Sequence, residues 1–320
     1  MRPFRFAVQG VDATSAKAWR DLARKVEDLG FSTLFVADHY LGPGPAGGGS
    51  LMPPQQLAPI AAMATAAAVT GTLRVGCRVF CIDYHVPAVL AKEAATIDLL
   101  SEGRLEFGIG AGWHAAEYQA MGLDFGDAPR RVSKLEEVVA LVKAHWSGEQ
   151  LDLRGEFVEV SGYSGLPVPV QRPHPPIMIG GSRKRVLSFA AREADIVSLA
   201  NVPWVPINDA GLTPQQEAAR RVGFVRDAAA GRFDQLDVES SPYFAAVTNE
   251  RAATLERMGT AMRNADPAVL SDHPNVLVGT VEQIVERLQE RRETIGVNYV
   301  TIQQDHVDSF AAVCARLAGT

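Results

Sequence analysis

The feature that most limits what this chain can fold into is a regular alternation of short β-type runs with helical ones, repeated along its length. "FRFAVQG" (4–10) reads as a strand. A helix from Ser15 to Leu29 follows, with Trp19, Leu22, Ala23, Val26 and Leu29 at three- and four-residue spacing and Gly30 closing it. "STLFVA" is a second strand, followed by a helix from Pro59 to Thr70; "LRVGCRVF" is a third, followed by a helix that Pro87 begins and Gly103 ends. "RLEFGIG" is the fourth, and a long amphipathic helix runs from Ala128 to Trp146. After an extended, Pro-rich insert (153–176) that reads as a small hairpin come "PIMIGG" with a helix from Ser182 to Glu193, and "DIVSLA" with a helix from Thr213 to Ala230. "LDVESSPYFAAVT" is the seventh strand, with helical stretches near 249–263 and 280–294; "NYVTIQ" is the eighth, with a last helix to Leu317. Eight strands each followed by helix predict an α/β protein of the (β/α)8, or TIM, barrel type, with insertions at the C-terminal barrel face. A doubly wound sheet is the rival, but no GxGxxG turn follows the first strand.

Length and composition fit that reading. With 320 residues, 47% of them hydrophobic, one barrel can fill the whole chain, and neither a repeat nor a linker divides it, so a single domain over 1–320 is expected. The net charge of −6 with mixed signs is no nucleic-acid surface. The N-terminus lacks the apolar core of a signal peptide, and no run approaches the roughly 18 apolar residues of a membrane span. The only cysteines, Cys77, Cys81 and Cys314, are an odd, small set. They suggest free thiols in a reducing compartment, so a cytoplasmic location is expected.

In a barrel the reactive residues come from the loops after the strands. Strand two ends in Asp38 and His39, strand three near Cys77, Arg78 and Val79, strand four in "GIGAGWHAAEY" and strand five in "GGSRKR". A histidine at a strand end can take or give a proton near neutral pH; a satisfied core histidine or a metal ligand are the other readings. No HxH after strand one and no HExxH helix speaks for a metal, and none is expected. His85, His145, His174, His273 and His306 lie in separate contexts and read as structural or surface residues. Gly110 and Gly112 before Trp113 and His114 would let backbone pass under a flat ring beside an indole; a Trp packed over the barrel top is the alternative. Gly180 and Gly181, with Ser182 at an N-cap and Arg183, Lys184 and Arg185 in the first turn, put cations where the helix dipole disfavours them, which an anion such as phosphate would relieve. A capped helix with solvated basic side chains would look the same.

Taken together, "LGFSTLFVADHY", "HVPAVLAKEAATIDLLSEGRLEFGIGAGWHAAEYQAMG" and "VQRPHPPIMIGGSRKRVLSFAAREADIVSL" resemble the luciferase-like monooxygenase superfamily over most of the chain. "VADHY" and "GAGWHAAEY" look most like the actinobacterial branch that uses the deazaflavin coenzyme F420. The resemblance implies a barrel with the cofactor ring at its C-terminal mouth. Asp38 and His39 match the pair that meets deazaflavin and substrate. Cys77, Arg78 and Val79 match the stretch behind the ring, where the family often carries a non-proline cis peptide; Arg78–Val79 is its expected place here. Gly110, Gly112, Trp113 and His114 match the strand-four cofactor wall, and Gly180, Gly181, Ser182 and Arg183 the phosphate grip. Trp113 stands where some F420 dehydrogenases of the family have a glutamate, which speaks against a sugar-phosphate substrate.

The expected activity is hydride transfer between F420 and a small organic substrate, with His39 as the catalytic proton donor or acceptor. The alternatives are an FMN-dependent monooxygenase served by a separate reductase, and a non-catalytic flavin or deazaflavin binder. A homodimer is expected through the small-residue face of "AAMATAAAVT", which could equally pack onto the barrel's own strands. "GPGPAGGG" (42–49) reads as a lid or pocket edge, or as a passive connector.

Overall fold

The computed structural model describes residues 2–42, 55–262 and 265–320. The elements follow in the order β1 (Arg5–Gln9), α1 (Ala16–Asp28), β2 (Thr33–Val36), α2 (Pro59–Ala67), β3 (Arg74–Cys81), α3 (Pro87–Leu100), β4 (Leu105–Gly110), α4 (Ala115–Met121), α5 (Ala128–Ser147), β5 (Gln150–Arg154), β6 (Glu159–Ser164), β7 (Ile177–Gly181), α6 (Lys184–Glu193), β8 (Ile196–Leu199), α7 (Pro214–Ala228), β9 (Asp237–Ser240), β10 (Phe244–Val247), α8 (Arg251–Ala261), α9 (Pro267–Asp272), β11 (Val276–Gly279), α10 (Val281–Ile295), β12 (Tyr299–Gln303) and α11 (Val307–Leu317). Eight strands close a barrel in the order β1-β12-β9-β8-β7-β4-β3-β2. The expected (β/α)8 architecture is therefore present. By contacts the chain divides into two compact units: Gln9–Glu27 with Thr33–Ile179, and Met1–Val8 with Asp28–Ser32 and Gly180–Thr320.

In the first unit, β2, β3, β4 and the start of β7 are paired in parallel and are almost entirely buried. The pairing of β3 with β4 shifts register between Cys77 and Phe80, so Arg78 and Val79 form a bulge, and the peptide bond between them is cis at the expected position. Gly108 on β4 faces this bulge; a Cβ there would run into the Cys77 carbonyl, so the close approach of the two backbones requires glycine. The 153–176 insert begins as the expected hairpin, with β5 antiparallel to β6. Glu137 of α5 fixes its turn by accepting hydrogen bonds from the amides of Glu156, Phe157 and Val158.

In the second unit, β8 and β12 flank β9 in parallel. Asp237, at the start of β9, accepts hydrogen bonds from Arg2, Arg5 and Asn298; burial raises its carboxyl, but these donors hold it below the usual range. The expected seventh strand is in fact two. Only Asp237–Ser240 joins the barrel; Pro242 follows, and Phe244–Val247 pairs in parallel with β11 in a separate two-stranded sheet. A proline cannot donate to a ladder, so the run had to break there. α7 begins at the expected Thr213, which forms a capping box with Gln216. All three cysteines are buried free thiols. Among the described residues no helix is long and apolar enough to cross a membrane.

Candidate active site

The ends of β2, β3 and β4, all in the first unit, deliver a compact polar network. β2 is apolar to Val36, and the residues beyond it carry the chemistry. Asp38 is buried and engages three partners: its Oδ2 accepts from the Cys81 amide at 2.9 Å and lies 2.8 Å from His85 Nε2, and its Oδ1 accepts from the Tyr40 hydroxyl at 3.3 Å. His85, read from sequence as structural or surface, is thus half of an acid–histidine pair.

His39 points its Nδ1 at Glu117 Oε2, 2.8 Å away. Glu117 stands in the first turn of α4, a helix that sequence reading had absorbed into the glycine wall after strand four. Its side chain is fully buried and its acceptor capacity is filled. Oε1 accepts from the amides of Tyr40 (2.7 Å) and Leu41 (3.0 Å), while Oε2 accepts from the Tyr84 hydroxyl (3.0 Å) and lies 3.5 Å from His114 Nδ1. Burial alone would raise the Glu117 carboxyl, but the His39 hydrogen bond and the Leu41 and Tyr40 amides outweigh it and hold the pKa at about 2. Glu117 is therefore an anion at neutral pH. Nε2 of His39 has no hydrogen-bond partner among the described residues, and 21% of the side chain is open to solvent.

Trp113 is 59% exposed, an unusual position for an indole, and stacks on His114 with ring centroids 4.8 Å apart; its edge meets His39 at 5.7 Å. The alternative of a Trp packed over the barrel top is thus not what the structure has. His114 is buried and precedes α4 as its N-cap residue. Gly112 has φ +74°, and a Cβ there would collide with the Tyr118 hydroxyl, so this glycine serves protein packing. Gly110 ends β4 and its carbonyl accepts from the Ile82 amide. On β3, Cys77 is wholly buried, which pushes its thiol up, and Arg78 Nη1 donates to Gln9 Oε1 at 3.3 Å.

His39, His114 and Glu117 also form a group with metal-ligating chemistry, their ligand atoms within 4.8 Å of one another. Motif inspection missed it because its members come from two strand ends and a helix. The His39–Glu117 contact within it has the length of a hydrogen bond.

Gly180, Gly181, Ser182 and Arg183 belong to the second unit. Helix α6 has its N-cap one residue later than expected: Arg183, not Ser182, holds that position, and its side chain makes no capping hydrogen bond. The exposed side chains of Arg183, Lys184 and Arg185 surround that turn. The segment 43–54, which holds most of the expected lid and pocket edge, lies outside the described residues.

The model of the luciferase-like monooxygenase family matches residues 1–273. The chain belongs to this family. An uncharacterized protein of Mycobacterium tuberculosis, Rv0953c, is 32% identical over 265 residues, covering 77% of this chain and 88% of the relative. A shorter stretch of 109 residues is 34% identical to an FMNH2-dependent dimethylsulfone monooxygenase of Pseudomonas putida, covering 34% of this chain and 30% of that one. The coenzyme F420-dependent tetrahydromethanopterin reductase of Methanopyrus kandleri superposes with a TM-score of 0.77 at 17% identity, over 99% of this chain and 98% of that one; this similarity concerns the fold. The family comprises oxidoreductases that use a flavin-type cofactor, and relatives carry both F420 and FMN in their names.

Proposed function

We propose that this luciferase-like oxidoreductase moves a hydride between coenzyme F420 and a small organic substrate, with His39 handling the accompanying proton. The observation that carries the reading is the His39–Glu117 pair beside Trp113: one ring nitrogen is tied to a buried carboxylate, the other has no partner among the described residues, and an exposed indole adjoins the ring.

The residues fit a cofactor with an aromatic ring system and a phosphate. Trp113 and His114 offer aromatic surface at the end of β4, and the bulge at Cys77, Arg78 and Val79 supplies backbone at the end of β3. Asp38 would act through its hydrogen bonds, keeping Cys81 and His85 in place. At the β7–α6 turn, Gly180, Gly181, Ser182 and Arg183 would hold the phosphate, with uncapped amides and exposed cations as donors. When bound, F420 supplies a two-electron hydride donor or acceptor. Hydride transfer between an alcohol and a carbonyl must be completed by a proton, and Nε2 of His39 is the group available to exchange it.

Titrating the purified protein with F420 and with FMN tests the cofactor: tight F420 binding is expected, and tight FMN binding without F420 binding would overturn the reading. His39→Ala tests the proton role; turnover with an unchanged rate and pH profile would refute it. The FMN-dependent monooxygenase remains the second reading, supported by the 109-residue match to a Pseudomonas enzyme. A cytoplasmic homodimer completes the proposal: Ala61, Ala64 and Ala68 leave an exposed small-residue face along α2 and its C-cap. Light scattering that shows only monomer at working concentration would refute the dimer.

A further inference from the structure

The structure assigns Glu117 as the residue that sets the tautomer and aim of His39. We infer that its carboxylate accepts the Nδ1–H of the neutral imidazole, so that Nε2 carries the lone pair and becomes the nitrogen that meets substrate. The inference rests on the proposed proton role of His39, and goes beyond it by naming the tautomer and the group that imposes it.

Three observations lead there. First, Glu117 is ionised, and an ionised carboxylate can only accept; a neutral His39 must therefore present N–H, not a lone pair, across the 2.8 Å contact. Second, the carboxylate cannot turn away. Its Oε1 is held by the amides of Tyr40 and Leu41, and its Oε2 by the Tyr84 hydroxyl. Third, the two amides are the residues directly after His39, so one side chain fixes the imidazole ring and the backbone that carries it. Glu117 is a positioning residue: its contacts are with His39 and its neighbours, and it acts through the ring.

The same anchoring makes Glu117→Gln a sharp test. The Gln carbonyl oxygen would keep the place of Oε1, because only an acceptor satisfies the Tyr40 and Leu41 amides. The –NH2 would then face His39, and the Tyr84 hydroxyl can reverse to accept from it. A donor opposite Nδ1 forces the other tautomer, with the proton on Nε2. A merely structural contact would not produce that switch.

The readout is the 15N spectrum of the ring nitrogens in ligand-free protein labelled at histidine, with the His39 signals assigned by their loss in His39→Gln. At a pH high enough that the ring carries a single proton, the wild type is expected to show it on Nδ1, and Glu117→Gln to show it on Nε2. Wild-type His39 protonated at Nε2, or a tautomer unchanged in Glu117→Gln, overturns the inference. The wild-type spectrum decides by itself if the variant does not fold. In the cofactor-loaded enzyme, Glu117→Gln should lower kcat at least about tenfold with KM within about threefold, as for a wrongly protonated base. If the tautomer switches as expected but His39→Ala turns over normally, the proton role of His39 falls while the assignment of Glu117 stands.

Discussion

The ends of β2, β3 and β4 and the turn between β7 and α6 are built on opposite plans. The first is a network anchored on the buried Asp38 and Glu117, whose carboxylates are filled by hydrogen bonds from the half-buried Tyr84 and from the backbone. The second is a helix start without a side-chain cap, surrounded by exposed cations. Chemistry that depends on the direction of one lone pair needs groups that cannot move, and burial supplies that. Holding an anion needs only charge and free amides, which solvent exposure does not prevent. Damage to the first region should therefore appear as lost stability, and damage to the second as lost binding alone.

The largest expected effect is from Asp38→Ala, which leaves the buried Cys81 amide without its acceptor and His85 without its partner; thermal or denaturant unfolding should show a loss of about 3 kcal/mol. Acid should act on the same region. Glu117 has its pKa depressed to about 2 in the folded protein from an ordinary 4.5, so its contribution is complete above pH 4.5 and is lost as pH falls toward 2. Urea midpoints measured across that window should fall less steeply in Glu117→Gln than in the wild type. Gly112→Ala, which brings a Cβ against the Tyr118 hydroxyl at positive φ, should cost about 2 kcal/mol in the same assay. The smallest effect on stability sharpens the contrast. Arg183→Ala with Lys184→Ala should change unfolding by less than about 0.5 kcal/mol. The same pair should weaken F420 binding roughly threefold to tenfold at low salt and less at high salt. Equal stability losses at the two regions would erase the distinction.

How much of this was legible in the sequence follows from where each signal lies. Periodicity spans whole elements, so the strands and long helices of the barrel could be read, and Thr213-Pro214 announced α7 to the residue. The bulge at Arg78–Val79 followed from family resemblance, and the residues at the end of β2 from the placement of a barrel's reactive groups after its strands. Glu117 and His85 could not be read in the same way. One lies in a seven-residue helix too short for periodicity, the other in the turn after β3, and each gains its meaning from an acidic or basic partner 78 or 47 positions away. Pro242 did carry a signal for the split of the seventh strand, and a stricter reading of proline in a ladder would have placed β10 outside the barrel. The shift of the α6 start to Arg183 has no comparable mark, since Ser182 is the better capping residue by type.

The hydrogen bonds from Tyr40 and Leu41 to Glu117 have a consequence for how such an enzyme can diversify. They tether the chain immediately before the glycine-rich stretch that starts at Gly42. Insertions, deletions or grafts from relatives between 43 and 54 would begin downstream of a fixed root, leaving the imidazole undisturbed. Replacing that loop, in a lineage or by an engineer, is thus expected to leave the His39–Glu117 contact intact.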